Sequence, residues 1–166
     1  MPSIQRIVPC LWFDDQAEHA AKFYVSTFET NSRIRQVSEY PDEGKEIHGK
    51  PPGSVMTVEF ELEGCSLTAL NGGPQFKFNE AMSLQVMCDS QAEIDRLWER
   101  LSTGGDPSAQ ACGWLKDKYG VSWQVVPTMM AELFTGPDPV RAARAMRAML
   151  GMKKLDIAEL KRAYGA

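Results

Sequence analysis

Few side chains in this sequence could carry chemistry, and their spacing limits what each could do. Cys112, followed by Gly113 and Trp114 at the start of a short strand pattern, is the thiol placed to be accessible, and as a nucleophile it would need a base beside it. The two imidazoles are His19, on a helical stretch, and His48, in a loop; neither is set beside Cys112 by the sequence, and surface histidines are the plainer reading. Glu59 and Glu61 alternate on one face of a strand, which suits general acid or base work but is equally a solvated face. Asp117, between Lys116 and Lys118, opens an Asp-x-x-Gly turn whose geometry alone accounts for the aspartate. Cys10, Cys65 and Cys88 fall inside apolar strand patterns, with no C-x-x-C and no histidine at ligand spacing, and read as reduced, buried small hydrophobes. Asn71-Gly72-Gly73-Pro74 does not read as a phosphate cradle, because no helix follows it and no G-x-G-x-x-G occurs in the chain.

The elements that must position these residues come in two copies. Asp14-Asp15-Gln16-Ala17-Glu18 returns as Asp89-Ser90-Gln91-Ala92-Glu93, each time after a β-patterned run and before a helical one. Each reads as a capping box, with Asp15 or Ser90 accepting from the third helical amide and Glu18 or Glu93 reaching back to the cap's own amide. The first copy predicts a strand over 4–13, with Ile7, Pro9, Leu11 and Phe13 on one face and Val8, Cys10 and Trp12 on the other. A helix over 15–28 follows, buried through Ala17, Ala20, Ala21, Tyr24 and Phe28. Strands over 34–40, 55–62 and 65–70 complete it, the last two joined in a hairpin at Glu63-Gly64. The second copy predicts a strand over 82–88, a helix over 90–101, and short strands near 111–116 and 121–126, irregular around Pro107. Beyond Pro127 the pattern is helical, with Asp138-Pro139 opening one helix and Asp156, with Glu159 and a Leu155–Leu160 staple, opening another.

These patterns predict an α+β fold of paired βαβββ modules, in one domain over 1–166. Module one spans 4–75, module two 80–127, and a C-terminal helical extension 128–166. The curved sheets are expected to surround a cleft between the copies. The chain has 166 residues, 43% hydrophobic and 24% charged, with a formal net charge of −4. That balance, with no basic stripe of interleaved aromatics, argues against nucleic acid and an anionic membrane as partners. No stretch approaches the length of a spanning helix and the first nine residues lack an apolar leader core, so a cytoplasmic location is expected.

Two βαβββ modules carrying Asp117-x-x-Gly120-x-x-Trp123-Gln124 resemble the vicinal oxygen chelate superfamily, whose members include glyoxalase I, extradiol dioxygenases, and fosfomycin and bleomycin resistance proteins. The segments 9–14 (Pro-Cys-Leu-Trp-Phe-Asp), 69–74 (Ala-Leu-Asn-Gly-Gly-Pro), 76–80 (Phe-Lys-Phe-Asn-Glu) and 112–117 (Cys-Gly-Trp-Leu-Lys-Asp) are similar to its PhnB-like branch, often labelled as demethylubiquinone methyltransferase-like. The resemblance implies a homodimer. It also implies four metal-ligand positions, which the repeat sets at Val8, Thr68, Ser83 and Gln124. A valine, two hydroxyls and an amide cannot replace the strong oxygen and nitrogen donors that a divalent ion needs, so no metal and no other cofactor is expected. The methyltransferase label gains nothing from the residues, since a nucleoside methyl donor would need a glycine-rich strand-to-helix turn and a ribose-binding acid.

The concave face by this register holds Cys10, Trp12, Ser66, Thr68, Leu70, Ser83, Gln85, Met87, Ser122, Gln124 and Val126, aromatic and apolar surface with uncharged polar groups. It predicts a metal-independent small-molecule binding protein of the glyoxalase/bleomycin-resistance type, gripping its ligand through Trp12, Thr68, Ser83, Gln85, Trp114 and Gln124. Phe76, Phe78 and Trp114 could close over that ligand or pack on a second subunit. The alternatives are a lyase, isomerase or related enzyme with a non-standard metal site or working through Cys112, and a dimerisation module whose cleft is filled by its own side chains or the C-terminal helices.

Overall fold

A computed structural model describes residues 5–165. Their contacts form two compact units that divide between Lys77 and Phe78. Each unit is built from a strand, a covering helix and returning strands.

The first unit runs β1 (Cys10–Phe13), α1 (Ala17–Phe28), β2 (Arg33–Glu39), α2 (Lys45–His48), β3 (Val55–Leu62) and β4 (Cys65–Asn71). The sheet order is β1-β4-β3-β2, with β1 parallel to β4 and the other pairs antiparallel. The βαβββ order expected for this copy is present. Its first strand is shorter than expected: position 4 lies outside the described residues, Ile7 is 87% exposed, and strand geometry begins only at Cys10. Ahead of it the Gln5 side chain imitates a ladder, accepting from the Ser66 amide and donating to its carbonyl at 2.8 and 3.1 Å.

Helix α1 buries Ala17, Ala20, Ala21, Tyr24 and Phe28, the predicted stripe, and its three alanines let the helix lie close to β3 and β4. The predicted capping box at Asp15 is not formed. Gln16 stands at the cap with no side-chain bond, and the Ala17 amide donates instead to Asn71 Oδ1 at 2.8 Å. Glu18 pairs with Lys22 one turn on, at 2.7 Å. The hairpin at Glu63-Gly64 is as predicted, both residues having positive φ, 50° and 82°, as a type I′ turn requires. The segment 41–53 is ordered: it carries α2, and backbone bonds between Tyr40 and Ser54 and between Gly53 and Tyr40 close its neck.

The second unit runs β5 (Leu84–Cys88), α3 (Gln91–Ser102), a 3-10 turn (Pro107–Ala109), β6 (Trp114–Lys116), β7 (Ser122–Pro127), α4 (Met130–Thr135), α5 (Pro139–Leu150) and α6 (Ile157–Gly165). Its sheet has three strands in the order β5-β7-β6. The repeat is therefore βαββ here, because Pro107, without an N–H, turns the chain where the first copy places β2. A single bridge, Ala111 to Trp114, remains of the longer strand expected there.

Ser90 caps α3 as predicted, accepting from the Glu93 amide at 3.2 Å, while the Glu93 carboxylate reaches one residue further back, to the Asp89 amide at 2.9 Å. Asp138 caps α5 through the amides of Val140 and Arg141, and Asp156 caps α6 through that of Glu159. The last three helices bury Met130, Leu133, Ala145, Leu155 and Leu160 in a cluster of their own, which Val126, Met149 and Met152 flank. Gln91 ties α3 to this region, donating to the Leu155 carbonyl and accepting from the Ile157 amide. Of the cysteines expected to be buried, only Cys88 is; Cys10 and Cys65 are exposed, because strand alternation does not say which face a helix will cover.

Candidate functional site

In the second unit α3 covers one face of the sheet, burying Leu115, Trp123 and Val125 beneath Ile94, Leu97 and Leu101. Alternation then sends Gln85 and Met87 of β5, Ser122, Gln124 and Val126 of β7, and Trp114 and Lys116 of β6 to the opposite face. Gln85 lies directly across from Gln124, and Trp114 from Gln124 on the other side. Gln124 Nε2 donates to Ser83 Oγ at 2.8 Å, and Gln85 Nε2 donates to Gln124 Oε1 at 3.3 Å. Four of the residues predicted to grip a ligand thus meet on one face: a chain of uncharged donors and acceptors with an indole beside it. Gln85 and Met87 are exposed, Trp114 and Gln124 half-buried. Val126 is drawn off to the edge of the helical cluster and leaves the predicted lining.

Beside Trp114 a groove of about 370 Å³ runs along β6, lined by Glu80, Ala109, Ala111, Cys112, Trp114, Leu115, Lys116 and Ser122. Lys116 pairs with Glu80 across it, and that ammonium, first of all by its hydrogen bond, holds the Glu80 carboxyl below its ordinary value. Ser122 lies opposite Lys116 in the ladder, is 2% exposed, and its hydroxyl has no hydrogen-bond partner. In the sequence Lys116 stands out only as a neighbour of the Asp117 turn. The further signal there is the shared face of Lys116 and Ser122.

Asp117, in contrast, is wholly engaged in structure. It is 3% exposed; Oδ1 accepts from the amides of Tyr119 and Val121 at 2.8 and 3.1 Å, and Oδ2 from Trp123 Nε1 at 2.8 Å. Gly120, at φ 86°, turns the chain back so that its amide meets the Asp117 carbonyl. The Asp-x-x-Gly-x-x-Trp pattern is therefore a folding signature, as its turn geometry suggested.

In the first unit, Trp12 and Thr68 share a face with Cys10, Glu59 and Leu70, following the pairs Cys10–Thr68, Trp12–Leu70 and Glu59–Thr68. The Trp12 indole donates to the Gly73 carbonyl at 2.8 Å and meets Phe76 edge-on, ring centroids 4.9 Å apart. A Cβ on Gly72 would fall 2.1 Å from the indole. Asn71 accepts from Ala17, donates to the Val55 carbonyl at 3.0 Å, and its carbonyl receives the Tyr40 hydroxyl at 2.7 Å. The Asn-Gly-Gly-Pro segment is thus a latch that seats α1 and Trp12. Glu61, 9% exposed, is held by Arg33 and Arg35 at 2.9 and 3.1 Å, so the Glu59–Glu61 pair divides into a structural carboxylate and a solvated one.

Cys112 is half-buried with φ at 52°, and its amide donates to the Met152 carbonyl at 2.8 Å. His19 is exposed, as expected for a surface residue. His48 departs from that reading: it is half-buried against Tyr40, ring centroids 4.7 Å apart, and its Nδ1 accepts from the Lys50 amide at 3.0 Å.

The ion-binding positions implied by the superfamily do not fit a metal. Val8 offers no donor and lies outside the strand, while Thr68, Ser83 and Gln124 bring two hydroxyls and an amide but no carboxylate or imidazole. Among the described residues no three His, Cys, Asp or Glu side chains are grouped to hold an ion. Also among them, no helix is long and apolar enough to cross a membrane.

The strand-helix-strand units are those of the vicinal oxygen chelate class, the glyoxalase/bleomycin resistance/dioxygenase fold. More narrowly, the chain matches the family described as 3-demethylubiquinone-9 3-methyltransferase over residues 5–126, and it belongs to that family. The PhnB protein of Bacillus cereus is 34% identical, with a TM-score of 0.64 over 74% of this chain and 99% of that one. A protein of Pseudomonas aeruginosa, 24% identical, has a TM-score of 0.57 over 75% of this chain and 98% of its own. The fosfomycin resistance protein FosX of Mesorhizobium loti shares the fold at 16% identity and a TM-score of 0.50, over 74% of this chain and 90% of that one. No curated protein matches the chain.

Proposed function

We propose that this protein binds a small organic molecule, without a metal ion, on the open face of its second sheet. The observation that carries the reading is the Ser83–Gln124–Gln85 hydrogen-bond chain with Trp114 beside it. Primary amides and hydroxyls recognise neutral polar groups by paired donation and acceptance, and an indole supplies a flat apolar surface. With no carboxylate, imidazole or thiolate among them, these groups make a poor set for a divalent cation. Trp12 and Thr68 present the matching chemistry on the first sheet, although the Trp12 N–H is already spent on Gly73.

Methyl transfer does not follow from the family's description. The turns from β1 to α1 and from β5 to α3, Asp14–Gln16 and Asp89–Ser90, contain no glycine to admit a nucleotide's phosphate or ribose. The protein is expected to act in the cytoplasm as a homodimer, which sedimentation would test.

The binding reading is tested by two-dimensional NMR with 2-naphthamide, an uncharged aromatic whose primary amide can pair with a glutamine. In the presence of EDTA, saturable shifts are expected at the Gln85 and Gln124 side-chain amides and the Trp114 indole. Gln124→Leu should weaken binding at least about tenfold, the scale of losing paired hydrogen bonds. Binding that needs an added metal, or shifts confined to other residues, would overturn the proposal.

A further inference from the structure

The groove along β6 sets a charge, Lys116, beside the uncharged donors of the glutamine face. We infer that it selects an aromatic carboxylate, whose carboxylate takes the place of Glu80 on Lys116 and accepts from the Ser122 hydroxyl while the ring lies on Trp114. The inference rests on the binding reading above and names the ligand class for that face.

Two independent observations point to a ligand. The first is the Ser122 hydroxyl, buried in the groove's lining without a partner. A buried hydroxyl left unpaired is destabilising, and such groups in native folds are rare enough to need a reason. The second is the cation opposite it. Lys116 has a quarter of its side chain exposed, 24%, and is the only cation lining the groove among the described residues. Its partner Glu80 is exposed at 60% and sits in a segment without helix or strand between β4 and β5. An ion pair to so exposed a carboxylate is weak and easily exchanged. An incoming carboxylate would regain that charge-assisted bond and add the bond that Ser122 now lacks.

The charge count favours a carboxylate over a phosphate ester. With Glu80 displaced, the lining holds one positive charge, enough to neutralise a monoanion. A dianion would keep a charge unpaired beside the Asp106 carboxylate, which also feels Lys116. At about 370 Å³ the groove falls in the size range of small-molecule sites.

The test compares 2-naphthoate with 2-naphthamide, equal in shape and differing in charge, by NMR titration of the full chain at pH 7. Naphthoate is expected to bind at least about tenfold more tightly, with shifts at Lys116, Ser122 and the Trp114 indole. Lys116→Met should abolish that preference. Glu80→Gln, which keeps the shape but frees the ammonium, should tighten naphthoate about threefold, the scale of an exposed ion pair. Ser122→Ala should weaken naphthoate several-fold while leaving thermal stability unchanged or raised, since the hydroxyl it removes is unpaired. Equal binding of the two compounds, or weaker naphthoate binding in Glu80→Gln, would overturn the inference while leaving the binding reading intact. Failure of both compounds to bind would overturn both.

Discussion

Replacing Asp117 by asparagine separates a folding role from a chemical one. In the native turn the carboxylate accepts three hydrogen bonds, from two backbone amides and from the Trp123 indole. Asparagine can keep Oδ1 beneath the amides of Tyr119 and Val121, but it then turns an NH₂ toward the indole N–H. The indole N–H loses its acceptor and faces a second donor, at a cost of about 1–3 kcal/mol, and two charge-assisted bonds become neutral ones, each weaker by about 0.5–1 kcal/mol. The sum is about 3 kcal/mol. For a chain of this size that corresponds to a fall in Tm of about 6–12 °C. Thermal unfolding followed by circular dichroism would measure it, and 2-naphthamide titration well below the new Tm would show whether the site survives. We expect lower stability with unchanged affinity. Wild-type stability combined with lost binding would refute the reasoning, because Asp117 would then serve the ligand rather than the turn.

Three further outcomes follow from local geometry. Burial pushes the Cys88 thiol up to about 12, so at pH 8 it should resist a thiol reagent in the native protein and react fully once the chain is unfolded. Gly72→Ala should drive the Trp12 ring from its seat, break its bond to Gly73, red-shift tryptophan emission and cost about 1–3 kcal/mol in urea unfolding. The Lys154 ammonium, with Gln91 assisting, lowers the Asp95 carboxyl in the folded state. A carboxyl lowered by folding stabilises above its unfolded value near 3.8 and loses that contribution as pH falls through the lower, folded one. Asp95→Asn should therefore remove a small part of the acid limb of the stability profile, less than about 1 kcal/mol for so exposed a pair.

Much of the fold was legible because its signals are local. The alanine stripe of α1, the Ser90 cap, the Glu63-Gly64 hairpin and the Asp138 and Asp156 caps all lie within a few residues of the elements they define. Asp15 misled because Asn71, arriving from the far end of β4, takes the Ala17 amide, and the helix starts one residue later than the box requires, with Gln16 at the cap. The exposure of Cys10 and Cys65 was hidden for a related reason: a period of two sorts residues into faces without naming the covered one. At the candidate site, the repeat placed Ser83, Gln85 and Gln124 on one face correctly, since register follows from alternation. The Lys116–Glu80 pair was not legible, because it depends on the course of an irregular segment. That Ser122 lacks a partner depends on the whole packed surroundings.

Metal-independent binding is put to the test by native mass spectrometry on untagged protein purified without chelator. The protein is incubated with zinc, nickel, manganese and ferrous iron, exchanged into ammonium acetate, and then given 2-naphthamide. No ion should be retained, and a one-to-one complex with the probe should form equally with and without EDTA. Stoichiometric retention of one ion, with a complex that forms only when the ion is present, would contradict metal-independent binding.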